Sequence, residues 1–155
     1  MSNRFSCIPS AEALAAFRES WSWCLPATYE VLLVTAFGDV FYQPADGGIY
    51  WLNTGTAETE LVAANRTEFD AKLNTEEGVD WLLPDLVVAL EAEGKDRAPD
   101  HCYTYAILPI FAEGKFETWN FKPVLAEEHF GLTSHVHRQI AELPDGAQVK
   151  IRVVP

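Results

Sequence analysis

Cysteine is scarce in this chain. Only Cys7, Cys24 and Cys102 occur, an odd number at wide spacing. A disulfide framework needs an even, closely spaced set, so none is expected. Reduced thiols packed as small hydrophobes in a cytoplasmic protein are the reading instead. Long apolar runs are missing as well. The opening stretch MSNRFSCIPSAEALAAF holds no segment fit for a signal peptide or a membrane span. No glycine-rich phosphate loop, dinucleotide fingerprint or G-x-S-x-G elbow occurs, which removes the common routes to nucleotide and acyl-transfer chemistry. Basic residues are few too: 11 Lys and Arg stand against 23 Asp and Glu, a formal net charge of −12.

That deficit is local. Residues 58–100 hold twelve acids and four bases, a net of −8, whereas residues 1–57 carry −3 and residues 101–155 carry −1. Such a field repels nucleic acid and anionic membranes and attracts basic partners. Within the acidic block, Glu58, Glu60, Glu76, Glu77 and Asp80 stand away from the expected helix cores. They are the candidate partner-binding residues.

What is present suffices for a core. With 155 residues, 48% hydrophobic and 12% aromatic, the chain fits one domain spanning 1–155. Ser10 precedes Leu14, Phe17 and Trp21 at helical spacing, so residues 1–28 are expected to form an N-terminal helix with Ser10 as its cap. From Tyr29 to Leu61 the pattern turns to short β-branched and aromatic runs, EVLLVTAF, DVFYQ and GIYWLNT, with Asp46-Gly47 suited to a tight turn. An antiparallel meander follows from this. Three helical segments come next. NRTEFDAKL has Asn65 to cap and Glu68 three residues on, TEEGVDWLL follows it, and PDLVVALEAEG has Pro84 to start and Gly94 to stop. HCYTYAILPIF and TWNFKPV read as extended and TSHVHRQIAEL as helical, with Val136, Ile140 and Leu143 on one face. LPDG then turns into a last strand, AQVKIRVV. The class is α+β: a single domain, mostly antiparallel sheet with packed helices.

Chemistry is sought first in EEHFGLTSHVHRQI, which holds three of the four histidines. A helical zinc pair wants histidines four apart on one face. His135 and His137 are two apart and on a helix point about 200° away from each other. No metal is expected, and these histidines read as surface or half-buried helix residues. His101-Cys102 suggests a base and a thiol, but neighbours on a strand point apart, so a packed cysteine is expected. Asp39 and Asp46 stand at turns or strand ends, where aspartate serves the backbone. No catalytic residue and no cofactor is assigned.

Several motifs occur in a characteristic order: TAFGDVFYQPADGGIYWLNTGT, then EFDAKL before a Trp-containing helix, then CYTY, then HFGLTSHVHRQIAELPDG. Together they resemble domain-of-unknown-function family 1851, which overlaps the C-terminal domain of Tdi-type immunity proteins of type VI secretion. The likeness runs over residues 29–155. It implies a non-enzymatic cytoplasmic antitoxin that binds a nuclease toxin; the acidic block, read from the charge, is the face expected to meet a basic partner. No catalytic residues accompany it. The alternative is a small-molecule binder or enzyme with an aromatic pocket built from Trp51, Trp81, Tyr103 and Trp119.

Overall fold

The computed structural model describes residues 4–143. The last strand read from AQVKIRVV lies outside those residues. Strand β1 (Ser6–Cys7) is followed by α1 (Ala11–Ser20), then by β2 (Tyr29–Thr35), β3 (Val40–Pro44), β4 (Ile49–Asn53) and β5 (Glu58–Ala63). Three helices follow, α2 (Arg66–Leu73), α3 (Glu76–Leu82) and α4 (Pro84–Ala92), then the pair β6 (His101–Tyr105) and β7 (Phe121–Leu125), and finally α5 (Ala126–Ala141). The α+β class holds. The five strands β1 to β5 form one antiparallel sheet in chain order, and β6 and β7 form a second antiparallel pair.

The local signals act as their chemistry demands. Ser10 Oγ accepts from Ala13 N at 3.1 Å, capping α1. Asn65 Oδ1 accepts from Glu68 N at 2.9 Å, while the Glu68 carboxylate reaches back to Ala64 N at 2.9 Å, one residue before the expected partner. At the β3–β4 turn Gly47 takes φ 86° and Asp46 Oδ1 accepts from Gly48 N at 2.8 Å.

Strand β3 is covered on both faces. Val40 and Tyr42 point into a core with Phe17, Trp21, Leu52, Cys102 and Phe130, which α1 and α5 close. Phe41 points the other way, among Ile49, Val62, Phe69 and Trp81, under α2 and α3. A third core joins α4, the β6–β7 pair and α5 through Phe37, Val87, Leu90, Tyr103, Phe121 and Val136. The uninterrupted apolar run of β3 thus reflects burial on two sides.

Helix α5 corrects one expectation. It begins at Ala126, not near Thr133, so Gly131 lies inside it and His129 is part of the same helix. Strand β7 runs into α5 at Leu125 without a side-chain cap. Val136 and Ile140 do face the core, but Leu143 is 43% exposed and lies past the helix end.

Candidate functional site: a buried polar strut and an acidic, apolar surface

Two of the three histidines of this stretch are core, and the third is on the surface as expected. His129 is fully buried and His137 nearly so; only His135 is exposed. His129 Nε2 lies 2.8 Å from Thr54 Oγ1 and Nδ1 lies 2.9 Å from Thr104 Oγ1. Thr54 Oγ1 in turn reaches Asp39 Oδ1 at 3.2 Å and Gly38 O at 3.2 Å. Every group has a partner when His129 is neutral, donating from Nε2 to Thr54 and accepting at Nδ1 from Thr104. Burial pushes its pKa down to about 3, against a hydrogen bond with the Gly38 backbone, so the neutral form holds at physiological pH. His137 Nε2 donates to Thr54 O at 2.9 Å, and burial lowers its pKa as well.

Asp39 also departs from expectation. Its carboxylate does not serve the local turn but is buried, accepting from Trp51 Nε1 at 3.1 Å and from Thr54 N at 3.0 Å. Burial raises its pKa to about 6, and the bonds from Thr54 and Trp51 oppose that rise. Gly38 completes the arrangement: at φ 79° it lies against the His129 ring, and a Cβ there would overlap the imidazole. These groups tie the β2–β3 turn to the end of β4, to β6 and to α5. They form an internal strut, and Asp46, by contrast, stays at its turn as expected.

Among the described residues no group of three or more His, Cys, Asp or Glu could hold a metal ion. Cys102 is buried, with its thiol pKa raised by desolvation, and His101 Nδ1 lies 2.8 Å from Pro99 O, so the two do not act together. Cys7 and Cys24 are likewise free thiols, pushed up to about 11 by burial.

The four aromatic residues of the alternative reading do not line one pocket. Trp81 and Trp51 belong to the core under α2 and α3, Tyr103 to the core beneath α4, and Trp119 is 51% exposed. A shared aromatic pocket is therefore set aside.

The five acidic candidates are all exposed. Glu58 and Glu60 lie on β5, the edge of the larger sheet, opposite Asn53 and Trp51. That register puts them on the sheet face that Phe41 and Trp51 share with α2 and α3. Glu76, Glu77 and Asp80 lie on α3. Lys72 joins the two groups, donating to Val62 O on β5 at 2.7 Å and standing 3.7 Å from Glu77.

Beside Asp80 the structure holds a feature that the sequence pattern did not single out. A groove of about 670 Å³ runs between the α3–α4 junction and the segment 116–119, with Val79, Leu83, Leu86, Phe116 and Trp119 on its walls and Asp80, Asp85 and Glu117 around them. Val79, Phe116 and Trp119 are each about half exposed, at 52%, 49% and 51%. The signal in the sequence was GKFETWN, two aromatics among polar residues without the alternation of a strand.

No helix among the described residues is long and apolar enough to cross a membrane. Among curated proteins no relative matches the chain. A segment just short of half the chain, residues 63–137, running from the end of β5 into α5, matches the family model described as "T6SS immunity protein Tdi1, C-terminal".

Proposed function

We propose that this protein is a type VI secretion immunity protein, which binds a toxin as a non-enzymatic partner and blocks it. The observation that supports this is the match of residues 63–137 to an immunity-protein family model. That segment contains α2, α3, α4, the β6–β7 pair and most of α5. The fold also favours binding over catalysis in its own terms. Three titratable core groups, Asp39, His129 and His137, are buried and satisfied by Thr54, Thr104 and Trp51.

The finer reading is a cytoplasmic antitoxin for a nuclease. A nuclease must present cations to hold phosphates, and an acidic surface competes for them. Glu58, Glu60, Glu76, Glu77 and Asp80 are the residues proposed to meet it. Three of them, Glu76, Glu77 and Asp80, lie within the matched segment, and Glu58 and Glu60 lie just before it. Exposed charges of this kind act chiefly on encounter, so association is expected to slow with salt.

The test is size-exclusion chromatography of the purified chain mixed with the nuclease-type effector secreted by the same cell. A one-to-one complex that suppresses nuclease activity is expected. An effector that elutes separately and stays fully active in excess of this chain would refute the reading.

A further inference from the structure

The groove at the α3–α4 junction combines three properties. The first is exposed apolar area on rigid supports. Trp119 Nε1 donates to Glu117 Oε2 at 2.6 Å, which fixes the orientation of a ring that is half in solvent. The segment beneath it is pinned by Lys95, whose ammonium donates to Thr118 O at 2.8 Å and to Phe121 O at 3.0 Å. Asn120 adds a second clamp: it accepts from Ile107 N at 2.7 Å and donates to Ile107 O at 2.8 Å and Lys115 O at 2.9 Å. A tryptophan whose rotamer is already fixed loses little entropy when a partner covers it.

The second property is a strained backbone in the groove wall. Leu83 takes φ 50°, ψ 54°, the left-handed region that leucine disfavours, and there joins α3 directly to α4. The strain lets α4 turn back so that Val79 and Leu86 flank one groove. Such outliers concentrate where a surface is shaped for use.

The third property is charge of one sign. Asp80, Asp85 and Glu117 surround the apolar walls, and among the described residues Asp80 and Asp85 have no ion-pair partner. An apolar floor ringed by carboxylates selects an apolar side chain flanked by lysine or arginine.

We infer that this groove docks a segment of the toxin in which aliphatic or aromatic side chains are flanked by Lys or Arg. The inference rests on the proposed immunity role and adds an anchor to it. Charge on the acidic face governs the encounter, and Trp119 with Val79 and Phe116 governs how long the complex lasts. Every groove residue from Val79 to Trp119 falls inside the matched segment.

The probe is a synthetic helical peptide with leucine at i, i+4 and i+7 and lysine beside each, with a glutamate-for-lysine version as control. Binding to the full chain is read by calorimetry, and by nuclear magnetic resonance shifts of the Trp119 indole N–H. The lysine peptide is expected to bind and to move the Trp119 signal, and the glutamate peptide to do neither. Trp119→Ser and Val79→Ser should each weaken binding by about tenfold. Asp80→Asn with Asp85→Asn should weaken it and flatten its salt dependence, while Glu12→Lys with Glu19→Lys on α1 should change nothing. Binding that is unaffected by Trp119→Ser and Val79→Ser, or no binding at all, overturns the inference. So does cross-linking that joins residues 144–155 to Val79 or Trp119 in the free chain, since its own segment would then fill the groove. A toxin complex that forms normally with these groove variants would sink the anchor and leave the immunity role standing. If the peptide binds but no toxin complex forms, the groove stands as a site for such a segment, while the immunity role and the assignment of that segment to a toxin both fail.

Discussion

Replacing Asp39 with asparagine should change how stability depends on pH, in a direction set by the burial of its carboxyl. The group is held at a pKa of about 6 in the folded chain, against an ordinary value of 3.8. A folded-state pKa above the unfolded one means that the folded chain binds a proton the unfolded chain has released. The stabilisation from that proton is fully present below about pH 4 and is lost as pH rises through about 6. A tenfold change in proton affinity corresponds to about 1.4 kcal/mol, so about 3 kcal/mol is lost across this window. His129 works in the opposite direction. Its pKa falls to about 3 on folding, so its contribution grows as pH rises from there toward its ordinary 6.5. In the wild type the two trends oppose each other between pH 4 and 6, and His137, also lowered by burial, adds to that of His129. Asp39→Asn removes one of them; its single amide oxygen can replace the acceptor of Thr54 N or of Trp51 Nε1 but not both, a loss that does not vary with pH. The assay is urea denaturation of both proteins at pH 4, 5, 6 and 7. The wild type's stability minus that of Asp39→Asn should fall by about 3 kcal/mol from pH 4 to pH 7. A flat difference, or one that rises with pH, would show that the buried carboxyl is ionised throughout and that its desolvation is relieved by something other than the Thr54 and Trp51 bonds.

Two further outcomes follow from the same core. Gly38→Ala should cost roughly 4 kcal/mol, combining a positive φ with overlap on the His129 ring, whereas Gly47→Ala, with open space around it, should cost roughly 1–2 kcal/mol. Denaturation midpoints of the two variants check this, and equal losses would refute the fit of Gly38 to the imidazole. Cys7, Cys24 and Cys102 should all react in a thiol titration of the denatured, unreduced protein, with Cys102 silent until unfolding because it is fully buried. A single reactive thiol after denaturation would contradict the free-cysteine assignment.

Much of the fold was legible wherever residues act on their immediate neighbours. Ser10, Asn65, Pro84 and the Asp46-Gly47 turn each did locally what their side chains favour, and the meander from Tyr29 followed from short strands with marked turns. The misplaced start of α5 has a physical cause: β7 passes into it through Leu125 with no capping side chain, so only the acidic first turn, Glu127 and Glu128, marks the boundary. Burial of His129 was hidden because it depends on Gly38 and Thr54, some 91 and 75 residues away along the chain. Asp39 reads as a turn aspartate for a related reason: a turn aspartate and a buried one look alike in sequence, and only Trp51 and Thr54 closing on it distinguish them. The candidate site divides in the same way. The acidic block was visible as composition, but the groove needs Leu83 to turn α4 back and Lys95 to hold residues 118–121 against it, both long-range consequences of packing.

Capture of a basic toxin through the acidic surface of this chain, as proposed, sets the rate at which the two proteins associate. Its most direct measurement is the association rate with the nuclease-type effector of the same cell, taken at rising salt. Wild type would be compared with a variant carrying Lys at positions 58, 60, 76, 77 and 80. The wild-type rate should fall steeply with salt, and the variant should associate at least about tenfold more slowly at low salt while unfolding at the same urea concentration. Equal rates for the two proteins, unchanged by salt, would contradict capture through this face.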